Sequence, residues 1–539
     1  MDSKINTKNT FLIIFLPAVL LFCNCSLPYE KTDQPHIYIS SCEDMAKIGT
    51  AKSHPLYGIY TLLNDITLEN WMPIGNEAAP FTGVFNGGEK TIHLKSFSDT
   101  AVSGQNYLGI FGCVKGGSVT EKAGIKNLTI ISAVEVKGFS ASALAAGLLT
   151  AHAERTLIEN INITGKFTFE SKKTILLGGI AGFINQSETI IRNSSSSLTM
   201  NIIPGSGSGL ANYSYIGGIA GMFRNGAGIE NCKNSGNVTA DNTLNEINGQ
   251  VFAGGIAGGG FYSMSSNYQG YIIDSSYTGN ITGKANGEWT FTGGIAAVIA
   301  GSGTKIERCF VTGTVSVEGT ASDYPYVGGI AGYNYFGALI SQSYFNGTVI
   351  AAKAGDYTGG IAGYNSQTTA PNNARIEDCW SAGTVKGFNN AGGIVGQNQV
   401  NTYIRRCYST AAIEATNSAG AVGGIAGLHQ SAMTDAVTSC VALNVSIEAA
   451  AGDNLNRITA NGSGIRSNNY ALAVLIPATG GTYTERKGLV NADGEDIPSQ
   501  YLSGGKPAQN FYIDVLNWDF NNVWILGADG YPKHRWNQQ

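Results

Sequence analysis

The chain has 539 residues, of which 43% are hydrophobic and only 13% charged, and its formal net charge is −5. Soluble domains typically carry about 25% charged residues, so Asn, Ser and Thr supply much of the polarity here. The hydrophobic share excludes a disordered chain, and the absence of a basic excess argues against nucleic acid as a partner. With 72 glycines, the composition is typical of many short strands and tight turns.

Residues 1–25 have the pattern of an export signal. A short apolar run follows two lysines, is too short to span a bilayer, and ends at Cys23 and Cys25. This end of the run resembles a bacterial lipoprotein processing site, in which the cysteine becomes the first residue and carries lipid. Asn24 suits the position before such a cysteine better than Phe22 does, so we predict lipid attachment at Cys25. Lipidation at Cys23, or a secretory signal followed by soluble release, remains an alternative.

Residues 26–104 are interpreted as a polar tether followed by an N-terminal cap. Capping-box spacing of Ser40 with Glu43, or of Ser41 with Asp44, predicts a short helix, and alternating apolar positions after it predict strands. A cap is needed because the open end of a repeat array exposes both strand edges and core.

The segment Gly-Gly-Ile-Ala-Gly recurs throughout residues 105–475. It occurs at 217–221, 254–258, 328–332, 359–363 and 423–427, and variants begin at 108, 146, 178, 293 and 392. Successive starts lie 31 to 39 residues apart, which predicts stacked, self-similar units. Because the strands are short and no helical periodicity appears, the predicted fold is an all-β solenoid of parallel strands. The repeat glycines are expected at sharp corners, with positive φ.

Five cysteines share one position of the repeat. They are Cys232, Cys309, Cys379, Cys407 and Cys440. Other units have Leu, Ile or Ser at this position, so it requires small to medium bulk and not a thiolate. We therefore predict an inward packing row instead of a metal or redox array.

Residues 476–539 lack the repeat and are rich in aromatic residues. They are interpreted as a C-terminal cap, or as a small module folded back on the last coils.

A family resemblance rests on these repeats and on both flanks. The recurring Gly-Gly-Ile-Ala-Gly resembles the GLUG motif of bacterial surface proteins. Residues 63–87 are similar to the segment that opens such repeats, and residues 518–532 to their usual ending. The resemblance implies a right-handed parallel β-helix-like solenoid of about ten repeats. It also implies a lipoprotein anchored in the outer membrane, at the cell surface of a Gram-negative bacterium, and it transfers no catalytic residue.

No metal site or cofactor is predicted. The six histidines share no metal-site spacing, and the acidic segment 493–496 lacks the ligand pattern of a calcium loop, so it is interpreted as a solvated turn. The position after the repeat's aliphatic residue carries both signs of charge. It holds Lys126, Glu159, Arg192, Glu230, Glu307, Ser341, Glu377 and Arg405. A polysaccharide-degrading β-helix enzyme needs stacked acids, so this mixed row favours a solvated face.

Two aromatic rows follow from the repeat. The first lies two residues before the Gly-Gly pair and comprises Tyr215, Phe252, Phe291, Tyr326 and Tyr357. It shares strand parity with the repeat isoleucine, so we predict an inward stack. The second directly follows the cysteine position and comprises Phe310, Tyr344, Trp380 and Tyr408. These rings are expected to form an exposed stripe that binds a ligand, or else to shield the edge of the coils.

The sequence therefore predicts a non-catalytic, lipid-anchored surface protein whose repetitive face binds a glycan or a protein partner. The first alternative is a structural or accessory subunit of an outer-membrane assembly that docks through its aromatic C-terminal segment. A polysaccharide-degrading enzyme is the second.

Overall fold

The computed structural model describes residues 34–538 except 105, 117–122, 140–143, 172, 205–212, 244–249, 261–268, 285–288, 319–324, 352–355, 368–372, 418–419, 451–453, 461 and 480–482. The described residues from His36 onward belong to one compact unit, His36–Gln539. The predicted signal peptide and Cys25 lie outside the described residues.

Among the described residues, three parallel sheets make up the body of this unit, and the coils of the repeat region contribute strands to all three. The largest, called the long sheet here, has 31 strands. They are His36–Ile39, Ile59–Leu62, Ile66–Leu68, Val84–Leu94, Ala123–Phe139, Thr156–Ser171, Ile190–Arg192, Ser195–Ile203, Ala227–Glu230, Lys233–Asn234, Val238–Asp241, Gly270–Ile273, Ser276–Tyr277, Ile281–Lys284, Lys305–Glu307, Phe310–Val311, Thr314–Glu318, Leu339–Ser341, Tyr344–Ala351, Ala374–Glu377, Trp380–Gly387, Thr402–Arg405, Tyr408–Ser409, Ala412–Ala415, Val437–Thr438, Val441–Ala442, Ser446–Ala449, Arg466–Ser467, Tyr470–Ala471, Ala478–Thr479 and Glu495–Asp496.

The other two sheets flank the Gly-Gly bend of each repeat. The first short sheet contains the strand before the bend and has 11 strands. They are Tyr107–Leu108, Leu144–Gly147, Ile175–Gly178, Tyr213–Gly217, Gln250–Gly254, Thr290–Gly293, Pro325–Gly328, Tyr357–Gly359, Asn390–Gly392, Val422–Gly423 and Leu455–Asn456. The second short sheet contains the strand after the bend and has 10 strands. They are Phe111–Lys115, Thr150–Glu154, Ala181–Asn185, Ala220–Arg224, Ala257–Gly259, Ala296–Ala300, Ala331–Tyr335, Ala362–Ser366, Val395–Asn398 and Ala426–His429.

Each strand pairs in parallel with its counterpart one repeat away. Gly217 pairs with Gly254, and Gly254 pairs in turn with Gly293. A chain whose successive repeats stack in this register forms every ladder hydrogen bond between coils. The prediction of a parallel β-helix solenoid is confirmed.

The repeat glycines allow close packing at the bend. A Cβ at Gly217 would lie 2.0 Å from the Ala220 carbonyl oxygen, and one at Gly218 would lie 1.8 Å from Asn234 Nδ2. Neither glycine has a positive φ, so the prediction of left-handed backbone at these corners is wrong. The bend needs glycine because the long sheet approaches it, and Asn234 Nδ2 donates a hydrogen bond of 2.7 Å to the Gly255 carbonyl oxygen.

The left-handed corner lies in the long sheet instead, one residue before the cysteine position. Eleven residues there have φ between 46° and 57°. They are Asn127, Asn160, Asn193, Asn231, Asp274, Arg308, Gln342, Asp378, Arg406, Ser439 and Asn468. Asn and Asp tolerate this conformation better than most residues. Their side chains also hydrogen-bond between coils, as in the 2.9 Å bond from Asn160 Nδ2 to Asn127 Oδ1.

The interior of the solenoid is one continuous apolar cluster. It contains the repeat isoleucines, such as Ile219 and Ile256, and all five cysteines of the predicted row. The thiols donate to nearby carbonyl oxygens, with Cys232 Sγ 3.3 Å from the oxygen of Glu230. The prediction that this row packs inward is confirmed.

The N-terminal segment continues the long sheet to its first strand. The helix Cys42–Ala46 begins after Ser41, whose hydroxyl accepts a hydrogen bond from the Asp44 amide, so the second of the two predicted caps is formed. A second helix, Asp99–Gly104, precedes the first short strands. Met45 is fully buried, which joins this segment to the main core.

The C-terminal segment extends the long sheet and then packs against its outer face. It forms two antiparallel hairpins, Leu502–Ser503 with Lys506–Pro507 and Trp524–Leu526 with Pro532–His534. The short helices Ser499–Tyr501, Phe511–Val515 and Arg535–Gln538 complete it.

Candidate ligand-binding face

The row before the Gly-Gly pair forms a stack, but not in the main interior. Ring centroids of Tyr215, Phe252, Phe291 and Tyr326 lie 4.7, 4.7 and 4.8 Å apart in succession. These side chains belong to a separate apolar cluster, whereas the neighbouring Ile216 belongs to the main core. The predicted inward direction is wrong because the Gly-Gly bend shifts the alternation, so Tyr215 and Ile219 do not share a face.

This second cluster lies between the two short sheets, and we call it the inter-sheet cluster. Its partners from the second short sheet include Met222, Val298 and Tyr333. Tyr326 of the first short sheet is 5.5 Å from Tyr333 and 4.7 Å from Tyr364, measured between ring centroids. Residues of the two short sheets that occupy equivalent positions therefore build one continuous aromatic layer along successive coils.

The inter-sheet cluster reaches the surface at one part of its length. Tyr215, Phe252 and Phe291 are buried, whereas Tyr326, Tyr333 and Tyr357 are only partly buried. Trp289 lies 6.0 Å from Phe291 and is 38% exposed. We call Trp289, Tyr326, Tyr333 and Tyr357 the aromatic edge. Its rings come from three successive coils, and Tyr326 and Tyr357 share one register of the first short sheet.

The row predicted as an exposed stripe is covered. Phe310, Tyr344, Trp380 and Tyr408 point away from the main core, as expected, and stack along the long sheet with ring separations of 5.2, 4.4 and 5.9 Å. However, Tyr408 is fully buried, Tyr344 and Trp380 are nearly so, and Phe310 is half-buried. The prediction of exposure is therefore wrong for this row, and we call it the covered row.

The C-terminal segment supplies the cover. Trp518, Trp524 and Trp536 pack in the same cluster, and Lys533 Nζ lies 4.1 Å above the Trp380 ring. Polar contacts fix the position of the segment at several coils. They include Trp536 Nε1 donating to Gln342 O at 3.0 Å, Trp518 Nε1 to Ser439 O at 3.0 Å and His534 Nε2 to Asp378 O at 2.8 Å.

His534 is the titratable centre of this cover. Burial lowers its pKa to about 3, although the hydrogen bond to the Asp378 carbonyl oxygen acts in the opposite direction. Its ring lies 4.6 Å from that of Trp524 and 5.7 Å from that of Trp536. The cover is thus built around a neutral imidazole.

Charges of the mixed row are arranged in pairs across neighbouring coils. Arg192 binds Glu159 at 2.7 Å, and Arg406 reaches Glu377 at 3.3 Å. Glu230 aligns with Ile273, which separates it from Glu307 in the next coil. No two acids of this row are adjacent in register among the described strands, which fits the predicted solvated face.

The acidic segment near the C-terminus is not the solvated turn that the sequence suggests. Asp493 is fully buried and accepts hydrogen bonds from the amides of Arg457 and Arg486 at 2.8 and 2.5 Å. Asp496 pairs with the buried Arg457 at 2.7 Å. These carboxylates therefore complete the last coils of the solenoid.

Sequence reasoning missed one group of ligand-type residues, Glu77, Cys113 and His152. They are the residues of the described chain whose Cys, His and carboxylate atoms converge within metal-binding distance. Cys113 and His152 pair at one register of the second short sheet. The repeat alignment hides the pairing of Cys113 with His152. In the first short sheet Leu108 pairs with Ala146, 38 residues later, whereas in the second short sheet Phe111 pairs with Thr150, 39 residues later.

Among the described residues, no helix has the length and apolar character needed to cross a membrane.

Comparison with known proteins supports the repeat assignment. Residues 323–350 match the family model described as the GLUG motif. No curated protein matches the chain. A crystal structure of a protein from Bacteroides ovatus, provisionally described as an immunoglobulin A1 protease, aligns with 94% of this chain and 93% of its own, at 14% identity and a TM-score of 0.27. The chain therefore carries a GLUG motif at residues 323–350, within a parallel β-solenoid.

Proposed function

We propose that this chain is a non-catalytic, lipid-anchored surface protein that binds extended glycans through the aromatic edge. The observation that carries the proposal is the succession of partly exposed rings at Trp289, Tyr326, Tyr333 and Tyr357. Monomeric proteins rarely leave contiguous apolar surface in water without a use for it.

The chemistry of the aromatic edge suits a sugar chain. Aromatic faces pack against the C–H faces of sugar rings, and Tyr hydroxyls add polar contacts at the rim. Tyr326, Tyr333 and Tyr357 are held by neighbouring rings, with centroid separations of 5.5 Å for Tyr326–Tyr333 and 5.3 Å for Tyr326–Tyr357. Rings that are already ordered lose little conformational entropy when a ligand binds.

Repetition supports binding of a polymer over binding of a small molecule. Tyr326 and Tyr357 are equivalent rings of neighbouring coils, and their centroids lie 5.3 Å apart, close to the spacing of neighbouring strands. A ligand that spans several coils would make several weak contacts at once, and linked contacts raise the overall affinity well above that of each one.

The alternatives are less well supported. In the mixed charged row of the long sheet, Glu159, Glu307 and Glu377 are each paired with an arginine, whereas glycoside hydrolysis needs one carboxyl group as a proton donor and a second as nucleophile or base. A docking role for the C-terminal segment requires accessible aromatics, but Trp518 and Trp524 are buried against the long sheet.

A binding assay on immobilised mucin and on a glycan array tests the proposal. Tyr357→Ala removes a ring of the aromatic edge and should weaken binding about 10-fold, in line with the loss of one ring contact. Tyr403→Ala is the matched control, because Tyr403 is a partly buried tyrosine of the long sheet under Arg405, and it should bind as wild type. Absence of wild-type binding, or equal loss in both variants, would refute the glycan-binding role.

The lipid anchor is tested separately. Metabolic labelling with a fatty-acid analogue should modify the wild-type chain and not the Cys25→Ser variant. Labelling lost instead in Cys23→Ser would move the anchor by two residues, and no labelling of any form would refute lipidation. Protease treatment of intact cells should remove the protein if it faces outward.

A further inference from the structure

Three ligand-type atoms converge beside the first coils of the solenoid. Cys113 Sγ is 3.7 Å from Glu77 Oε2 and 3.8 Å from His152 Nδ1, and His152 Nδ1 is 3.4 Å from Glu77 Oε2. Glu77 belongs to the N-terminal segment, whereas Cys113 and His152 belong to two adjacent strands of the second short sheet. The three atoms form a nearly equilateral triangle.

The triangle has the dimensions of one face of a tetrahedral metal site. Zinc binds sulfur at about 2.3 Å, imidazole nitrogen at about 2.0 Å and carboxylate oxygen at about 2.0 Å. Tetrahedral angles between such bonds separate the ligand atoms by roughly 3.3 to 3.6 Å. The separations here, 3.4 to 3.8 Å, lie close to that range.

Ordinary hydrogen bonding explains the group less well. An imidazole–carboxylate hydrogen bond is normally 2.7 to 3.2 Å long, and 3.4 Å exceeds that range. A nucleophilic Cys–His–Glu triad also does not fit, because the thiol and the carboxylate approach the same ring nitrogen of His152. In a triad, the orienting acid and the nucleophile contact opposite nitrogens.

The surroundings hold each ligand in place. The His152 ring lies between the rings of Tyr107 and Phe183, at centroid distances of 5.8 and 4.9 Å and with interplanar angles of 24° and 16°. Lys115 Nζ donates to Glu77 Oε1, so the other carboxylate oxygen, Oε2, is the one that lies near Cys113 and His152. Such supporting contacts are characteristic of metal sites, whose ligands need fixed orientations.

The surroundings of the triangle leave it open to a cation. The charge of Lys115 is partly balanced by Glu154 at 3.7 Å. The Glu77 side chain is half-exposed, which leaves a path from solvent.

We propose that Glu77, Cys113 and His152 bind one divalent transition-metal ion of the zinc class, with the fourth position open to water. Cys, His and carboxylate ligands together favour zinc over magnesium or calcium. On binding, the Cys113 S–H bond breaks, a sulfur–metal bond forms and one proton is released to solvent. The ion would tie the N-terminal segment to the first two strands of the second short sheet.

Cobalt is the probe for this site, since Co²⁺ accepts zinc ligands and absorbs light when bound to thiolate. The full-length chain, freed of metal with a chelator, is titrated with Co²⁺ and the near-ultraviolet charge-transfer band is recorded. We expect the part of the band that depends on Cys113 to saturate at one equivalent of Co²⁺. Zn²⁺ should displace the cobalt, and the melting temperature should be higher with metal bound.

Three variants make the test specific. Cys113→Ser should abolish the band. His152→Phe should weaken binding at least 10-fold, and a phenylalanine suits this position because Phe183 occupies the same register in the next coil. Glu77→Gln should also weaken binding and changes only a half-exposed side chain, so its fold is preserved. Cys232→Ser is the matched control, because Ser194 and Ser275 occupy the equivalent position in the flanking coils, and it should keep the full band.

The full-length chain also contains Cys23 and Cys25, whose thiols can bind cobalt as well. The decisive quantity is therefore the difference in band intensity between Cys113→Ser and wild type. An unchanged band in folded Cys113→Ser, or no saturable band in wild type, would overturn the proposal. Unchanged affinity in Glu77→Gln would remove that carboxylate from the site. Glycan binding is measured on the same samples with chelator present, so the two proposals fail independently.

Discussion

The covered row and the inter-sheet cluster are built from similar residues at similar spacing, yet the first is buried except at Phe310, whereas the second reaches solvent at the aromatic edge. Tyr344 and Trp380 stack at 4.4 Å on the long sheet, and Phe291 and Tyr326 at 4.8 Å between the short sheets. The two rows differ because described residues of the C-terminal segment, among them Trp518, Trp524 and Trp536, pack on the long sheet and bury the first row. In a solenoid, an outward ladder is therefore a surface only where no other part of the chain covers it.

The largest effect should come from removing a ring of the covered row. Trp380→Ala leaves a cavity beneath Lys533 and between Tyr344 and Tyr408, so the free energy of unfolding should fall by ~3–5 kcal/mol. Urea denaturation followed by circular dichroism measures the change. A loss under ~1 kcal/mol would mean that the row is exposed after all, as the sequence first suggests.

The second-largest effect should come from acid, which should destabilise the packing of the C-terminal segment on the covered row. His534 has a pKa of about 3 in the folded protein, below its unfolded value of about 6.5, so the neutral form stabilises the fold above pH 6.5. That stability is lost as the pH falls from about 6.5 towards 3, by about 1.4 kcal/mol per pH unit.

Fluorescence of Trp518, Trp524 and Trp536 follows this acid transition. His534→Gln keeps a donor for the Asp378 carbonyl oxygen but does not titrate, so its stability should change less with pH than that of wild type. Parallel pH profiles for the two proteins would contradict the role of this imidazole.

The smallest effect should come from the aromatic edge. Tyr357 is only partly buried, so Tyr357→Ala should lower the free energy of unfolding by roughly 1 kcal/mol, well below the cost at Trp380. The same urea titration measures both variants. Equal losses would show that the two rows have the same structural role.

The repeat itself made most of the fold predictable. Residues at one position of the period had to stack, so the parallel ladders and the inward Cys232 row followed from sequence alone. The direction of the side chains on either side of the bend could not be predicted in this way. Gly217 and Gly218 turn the chain without positive φ and shift the alternation between Tyr215 and Ile219.

The candidate sites were harder to predict because they depend on contacts between distant segments. The cover over Tyr408 comes from Pro532, 124 residues away, and nothing in the local sequence marks that contact. Glu77, Cys113 and His152 come from three separate segments, and a one-residue difference in the first repeat hides their common register. Aromatic density in residues 476–539 did indicate a packing module.

Hydroxyl-radical footprinting of the intact protein compares the two rows in one experiment. Trp289, Tyr326 and Tyr333 should be modified rapidly, whereas Trp380 and Tyr408 should be strongly protected. Modification of Trp380 and Tyr408 as fast as that of Trp289 would contradict the burial of the covered row, since the C-terminal segment would then leave that row open to solvent.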